Sequence, residues 1–135
     1  MSILKYVILP FAAWIISGSI KFAINTLRYG EKAKALIGYG GFPSTHSTII
    51  SSAVFLIGFS EGFDTPVFSL GLAVLLLFTI DAHGLRNKVG AHARILNELQ
   101  SEEQLREGLG HSWLEIIGGV ILGAVLAYFA NNLCI

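Results

Sequence analysis

Cysteine is nearly absent from this chain. The one example, Cys134, stands next to the end of the 135 residues. That excludes a disulfide framework and a cysteine-based metal site. Charge is scarce as well: Asp, Glu, Lys and Arg make up 13% and cancel to a formal net charge of zero. A nucleic-acid partner needs a basic footprint and is excluded on that ground. Nothing alternates in ten-residue pieces as the strands of a membrane barrel do. There is no internal repeat and no low-complexity tract. Lys5 and the apolar stretch after it resemble a signal peptide. No small-x-small cleavage site leads into a soluble domain, however, and more apolar segments follow, so a retained first membrane helix is expected.

What is present is apolar. The chain is 53% hydrophobic with a mean hydropathy of +0.67, values that point to a small integral membrane protein of one domain, residues 1–135. Four uncharged segments stand out: Tyr6 to Ile20, extending as a helix to about Arg28; Ile37 to Ser60, with His46 inside it; Thr65 to Ile80; and Ile116 to Ile135. The expected fold is all-α, a bundle of about four transmembrane helices, some of them short. A polar helical arm with Ile95, Leu96, Leu99, Leu105 and Leu109 as its apolar positions joins helices three and four. The first loop carries Lys21, Arg28, Glu31, Lys32 and Lys34, and the second only Glu61 and Asp64. The positive-inside rule then puts the first and third loops in the cytoplasm and both termini outside.

In such a protein the polar residues beside apolar segments are the informative ones. With up-down topology they gather on one membrane face: Lys21, the Pro43–His46 stretch, Asp81 to Arg86, and His111 to Glu115. In "GGFPSTHST", Gly40 and Gly41 permit a tight turn and Pro43 suits the first helical position. The Ser44 and Thr45 amides then face an anion at a helix start, with His46 a turn in as proton donor. An ordinary capped helix start reads the same way. In "GHSWLEIIGG", His111 and Glu115 are four apart and share a face. A carboxylate there can accept the imidazole N–H and leave the other nitrogen as base or nucleophile. A surface pair of a few tenths of a kcal/mol is the bland alternative, and zinc on His46, His111 and Glu115 is a third, opposed by the nearby cations and the lack of H-E-x-x-H. Lys21 and Arg28 lie seven apart, about two turns, so both can face one side. Each taken singly reads equally as interfacial snorkelling. A cationic rim with two histidines suits phosphoryl transfer.

These residues resemble the type 2 phosphatidic acid phosphatases, a family related to the vanadium-dependent haloperoxidases. "KFAINTLRY" resembles the family's K-x6-R-P motif, "PSTH" its P-S-G-H, and "HSWLE" the end of S-R-x5-H-x3-D. With "GGFPSTHS", "DAHGLR" and "LGHSWLEIIGG", nearly the whole chain looks like the divergent branch of that family. The resemblance implies that His111 attacks phosphorus to form a phosphohistidine, that Glu115 orients it, and that His46 protonates the leaving oxygen. Lys21, Arg28 and Arg86 would bind phosphate oxygens together with the Ser44 and Thr45 amides, and Asp81 would orient Arg86 or Lys21. No metal and no other cofactor is implied. Three residues depart from the motifs: Tyr29 replaces proline, Thr45 glycine and Glu115 aspartate. Arg86 lies 25 positions before His111, against six in the motif. Arg86-x5-His92 has the right spacing but Leu96 where a carboxylate belongs, and Arg106 lies one residue too close to His111. Arg86 is preferred because Asp81 and Gly84 accompany it.

The expected function is a membrane phosphatase acting on a lipid phosphate monoester or diphosphate, with the active face cytoplasmic and, in a bacterium, in the plasma membrane. A non-enzymatic lipid-phosphate binder or flippase is the rival, and a small structural membrane protein a third reading. Partners are membrane lipids and the substrate. Gly118, Gly119, Gly123 and Ala124 form a small-residue face that suits a homodimer.

Overall fold

A computed structural model describes residues 3–36, 41–99 and 104–133. Gly40, the stretch 37–40 at the head of the second apolar segment, and Cys134 lie outside the described residues. The elements are α1 (Leu4–Tyr29), a 3-10 segment (Gly30–Leu36), α2 (Thr45–Glu61), α3 (Pro66–His83), α4 (Leu85–Leu99) and α5 (Trp113–Asn132). Among the described residues there is no strand, and the fold is all-α as expected.

Three stretches are long and apolar enough to cross a membrane: Leu4–Lys34, Pro66–Leu99 and Trp113–Asn132. Their outer faces are apolar and bare: Trp14, Leu27, Val67, Leu77 and Leu114 are all more than half exposed. In water that surface would be costly; against acyl chains it is the expected exterior. The fourth expected crossing is α2. Its 17 residues rise about 26 Å at 1.5 Å per residue, short of the roughly 30 Å of bilayer hydrocarbon.

α2 sits at the centre and packs most extensively on α5, then on α1 and α3. Leu9, Leu56 and Ala127 join α1, α2 and α5 in one apolar cluster, and Val54, Phe68 and Leu75 join α2 to α3 in another. Between them runs a seam of small residues. Ser44, Ser47, Thr48, Ser51 and Ser52 on one side are buried, and Gly119 and Gly123 face them from α5. A Cβ at Gly123 would stand 2.6 Å from Thr48 O and 2.8 Å from Ser52 N. The hydroxyls of Thr48, Ser51 and Ser52 donate to backbone carbonyls one turn back, as in Ser51 Oγ to Ser47 O at 2.6 Å and Thr48 Oγ1 to Ser44 O at 2.9 Å, and Ser47 Oγ donates to Ser44 Oγ. Close backbone approach between small residues is how apolar helices associate without a hydrophobic driving force. Within the chain, Gly119 and Gly123 meet α2, and a Cβ at Gly118 would run into the Phe42 ring.

The two ends of the bundle differ. At one end Tyr6 donates to Glu61 at 2.7 Å, and Lys5 and Ser60 both donate to Asn131 Oδ1, at 3.1 and 2.7 Å. That end is tied by complementary polar pairs. The other end holds the charged and aromatic nitrogen groups that sequence reasoning singled out. The polar arm is α4 followed by 104–110 returning along it, where Asn97 exchanges hydrogen bonds with Leu105.

Candidate active site

Helix termini build this end. Gly41, with φ of +136°, turns the chain where Lys21 Cγ and Cδ would stand 3.8 Å from an added Cβ. Phe42–Pro43 is a cis peptide. Ser44 is the N-cap of α2 and accepts from Ser47 N, so Pro43 precedes the helix and does not occupy its first position. Ser44 is also fully engaged. Its N–H donates to Glu115 O at 2.8 Å, its hydroxyl accepts from Ser47 Oγ at 2.9 Å, and its carbonyl accepts from Thr48 N at 3.0 Å. The Ser44 amide is thus unavailable to an anion, contrary to expectation, because α5 takes it. The N–H groups of Thr45 and His46, the next two, have no intrahelical acceptor at a helix start.

His111 lies just before α5 and is only 5% exposed. Its ring centroid is 6.2 Å from that of His46, at an interplanar angle of 81°. His46 is exposed in the first turn of α2. Neither ring nitrogen of His111 has a hydrogen-bond partner. Burial, then the positive charge of Lys21, holds the His111 ring below the ordinary histidine range, with Glu115 acting in the opposite direction. The ring is therefore neutral, with a free lone pair, near neutral pH.

Glu115 does not hold that ring. Its carboxylate accepts from Ser112 N at 2.8 Å, and Ser112 Oγ accepts from Glu115 N at 3.3 Å, a reciprocal capping box at the start of α5. The i, i+4 spacing from His111 is real, but His111 precedes the helix, and the N-cap three residues back competes for the carboxylate and wins. Among the described residues no group of three His, Cys, Asp or Glu side chains is arranged to hold a metal ion.

The cations divide. Arg86 Nε donates to Asp81 Oδ2 at 2.9 Å, both partly exposed, so Asp81 pairs with Arg86. The charges of Arg86, Lys21 and Asp81 all act on His46, and those of Lys21 and Arg86 on His111. Arg86 thus acts electrostatically on both histidines; His92 is exposed on α4. Arg28, exposed in the last turn of α1, makes no hydrogen bond or ion pair with the cluster among the described residues. Two turns of helix carry it past the site instead of along it. Thr45 is partly buried beside His46.

Sequence reasoning passed over His83 and Asn87. Both reach the His111 carbonyl: His83 Nδ1 at 3.2 Å and Asn87 Nδ2 at 3.4 Å. The signal was Gly110, where a Cβ would stand 2.9 Å from Asn87 Cα.

A helical membrane bundle that gathers two histidines, a lysine and an arginine–aspartate pair at one set of helix ends is phosphatase-like in its residue types. The chain belongs to the Divergent PAP2 family, which matches residues 4–126. It is 26% identical over 114 residues to the "Uncharacterized membrane protein YuiD" of Bacillus subtilis (strain 168), covering 67% of this chain and 72% of that one. No solved structure matches.

Proposed function

We propose that the protein is a membrane phosphatase that hydrolyses a lipid phosphate monoester or diphosphate through a phosphohistidine on His111. The observation that carries this reading is the His111 ring, buried with both nitrogens unpartnered beside His46 and under the charges of Lys21 and Arg86. A buried polar atom left unpaired costs about 1–3 kcal/mol, and an anion drawn in by the cations supplies the missing partner. The Thr45 and His46 amides at the head of α2 hold two of its oxygens, with Lys21 and Arg86 neutralising the charge. One ring nitrogen of His111 attacks phosphorus as the bond to the lipid oxygen breaks, and His46 gives that oxygen a proton. Water then attacks the phosphohistidine, returns a proton to His46, and orthophosphate leaves. Lys32 and Lys34 beside this end support a cytoplasmic active face.

The engagement of the Glu115 carboxylate in its cap favours a second reading, a lipid-phosphate binder or flippase that keeps the cradle without the reaction. Phosphate release from a panel of lipid phosphates by purified protein in nanodiscs separates the two. Release by the wild type, lost together with acid-labile phosphoprotein in His111→Ala, is the expected result. A folded wild type that binds vanadate yet releases nothing from any of them selects the binder; full activity in His111→Ala refutes the phosphohistidine.

A further inference from the structure

The side chain of the reacting histidine has no hydrogen bond to fix it, yet its position sets the chemistry. Its backbone is held instead. His111 N–H donates to Ala82 O at 3.1 Å. Its carbonyl accepts from both His83 Nδ1 at 3.2 Å and Asn87 Nδ2 at 3.4 Å, which fills both lone pairs. The peptide planes before and after its Cα are therefore pinned, and the Cα–Cβ direction with them. Asn87 is itself anchored to the end of α3, donating to His83 O at 2.6 Å. The His83 ring lies on Trp113, centroids 4.6 Å apart, so it braces both sides of Ser112. Gly110 has no Cβ because one would fall on Asn87.

We propose that His83 and Asn87 are positioning residues that grip the His111 carbonyl and set the ring of the phosphate-accepting histidine beside His46. This rests on the role given to His111 above and adds the two residues that make its geometry reproducible without Glu115. A carbonyl acceptor requires a proton on His83 Nδ1, and the neutral Nδ1–H tautomer and the imidazolium both donate.

The test uses full-length protein in nanodiscs. His83→Phe keeps a ring on Trp113 and removes the donor; His83→Asn removes the ring and keeps an amide donor near the Nδ1 position. Both leave Lys21, His46, Arg86 and Glu115, the titratable and charged groups facing His111 from α1, α2, α4 and α5. Asn87→Leu removes the second donor independently and adds no charge. His111 is titrated by NMR, which needs no substrate, and kcat and KM are measured on a lipid phosphate. In His83→Phe and Asn87→Leu the loosened ring gains water, so its midpoint rises toward the ordinary histidine value. kcat falls about 10–100-fold with KM within about twofold, the effect of a misplacement on the order of 1 Å. His83→Asn recovers both. A midpoint that stays fixed in His83→Phe while the melting temperature falls means a merely structural tie and overturns the proposal, as does His83→Asn behaving like His83→Phe. A wild type without activity removes the phosphatase reading, while the titration still decides the grip.

Discussion

Gly119 lies where α5 meets the head of α2, and an alanine there tests whether the seam holds the histidines in place. A Cβ at Gly119 falls on the Ser44 carbonyl, with Ser47 Cβ at 2.9 Å and Ser44 C at 3.3 Å. Apolar carbons rest at about 3.5–4.0 Å, so the two helices must part by roughly 0.6–1 Å. Backbone atoms oppose the methyl group, and no rotamer change relieves it. Overpacking of this kind costs about 1–3 kcal/mol. The displaced segment leads straight into His46 on one helix and back to His111 on the other, so turnover should fall about 10–100-fold. Gly18→Ala is the control. Nothing stands within 4 Å of its Cβ, and a helix-interior glycine replaced by alanine gains about 0.5–1 kcal/mol. Thermal unfolding and phosphate release in nanodiscs read both. Gly119→Ala as stable and as active as Gly18→Ala would refute the described contact between α5 and the head of α2.

The structure changes what Glu115→Gln should do. Glutamine serves a capping box as well as glutamate does, so the variant should keep activity within about threefold, against a loss of about 10²–10⁴-fold if the carboxylate orients the reacting imidazole; initial rates on a lipid phosphate decide. His111 is held below the ordinary histidine range by burial and by Lys21, so its neutral, reactive form persists as pH falls through 6.5, and the acid limb of kcat/KM that reports it lies lower. The same depression makes stability complete above 6.5 and progressively lost as pH falls from there toward the lowered midpoint, because the unfolded chain takes up the proton first; unfolding of His111→Asn should lack that loss. Lys21→Ala should weaken vanadate binding about tenfold or more and Arg28→Ala less than twofold, measured by isothermal titration, since of these two only Lys21 acts on the histidines. For orientation, Lys32→Cys in a Cys134→Ser background offers an exposed thiol; the cytoplasmic face proposed above predicts no labelling of intact cells by an impermeant reagent, and labelling would reverse it.

Much of the framework is readable from apolar run length. The expected reach of helix α1 to about Arg28 matches its end at Tyr29, because no Pro or Gly falls between Gly18 and Gly30. The gathering of Lys21, His46, Arg86 and His111 follows from alternating helix direction alone. Local competition among polar groups is what spacing does not resolve. His111 and Glu115 satisfy an i, i+4 rule, but Ser112-Trp113-Leu114-Glu115 satisfies the capping-box rule with the same carboxylate, and the nearer backbone donor takes it. Ser44 has the residue type of a phosphate-binding amide, yet its N–H points at α5, which no pattern within α2 announces. The glycines of α5 signal close approach without naming the partner. Their partner is the serine ladder of α2, hidden inside an apolar segment whose hydroxyls are satisfied by their own helix.

The two ends of the bundle differ in a way that bears on function. At the Lys5–Asn131 end the described donors Lys5, Tyr6 and Ser60 each meet an acceptor. At the other end an imidazole is buried without a partner, two cations face it, and two helix-start amides lack acceptors. Each of these alone is costly in a poorly solvated site. Together they are complementary to one species, a compact polyanion with acceptor oxygens on several sides. A neutral headgroup would leave Lys21 unbalanced, since Arg86 already pairs with Asp81, and a metal cation would be repelled by Lys21. A carboxylate offers too few oxygens for the amides and both cations at once. Phosphate meets all of these requirements, and its phosphorus would lie between two histidines whose centroids are 6.2 Å apart, one buried and one open to the approach of a leaving group.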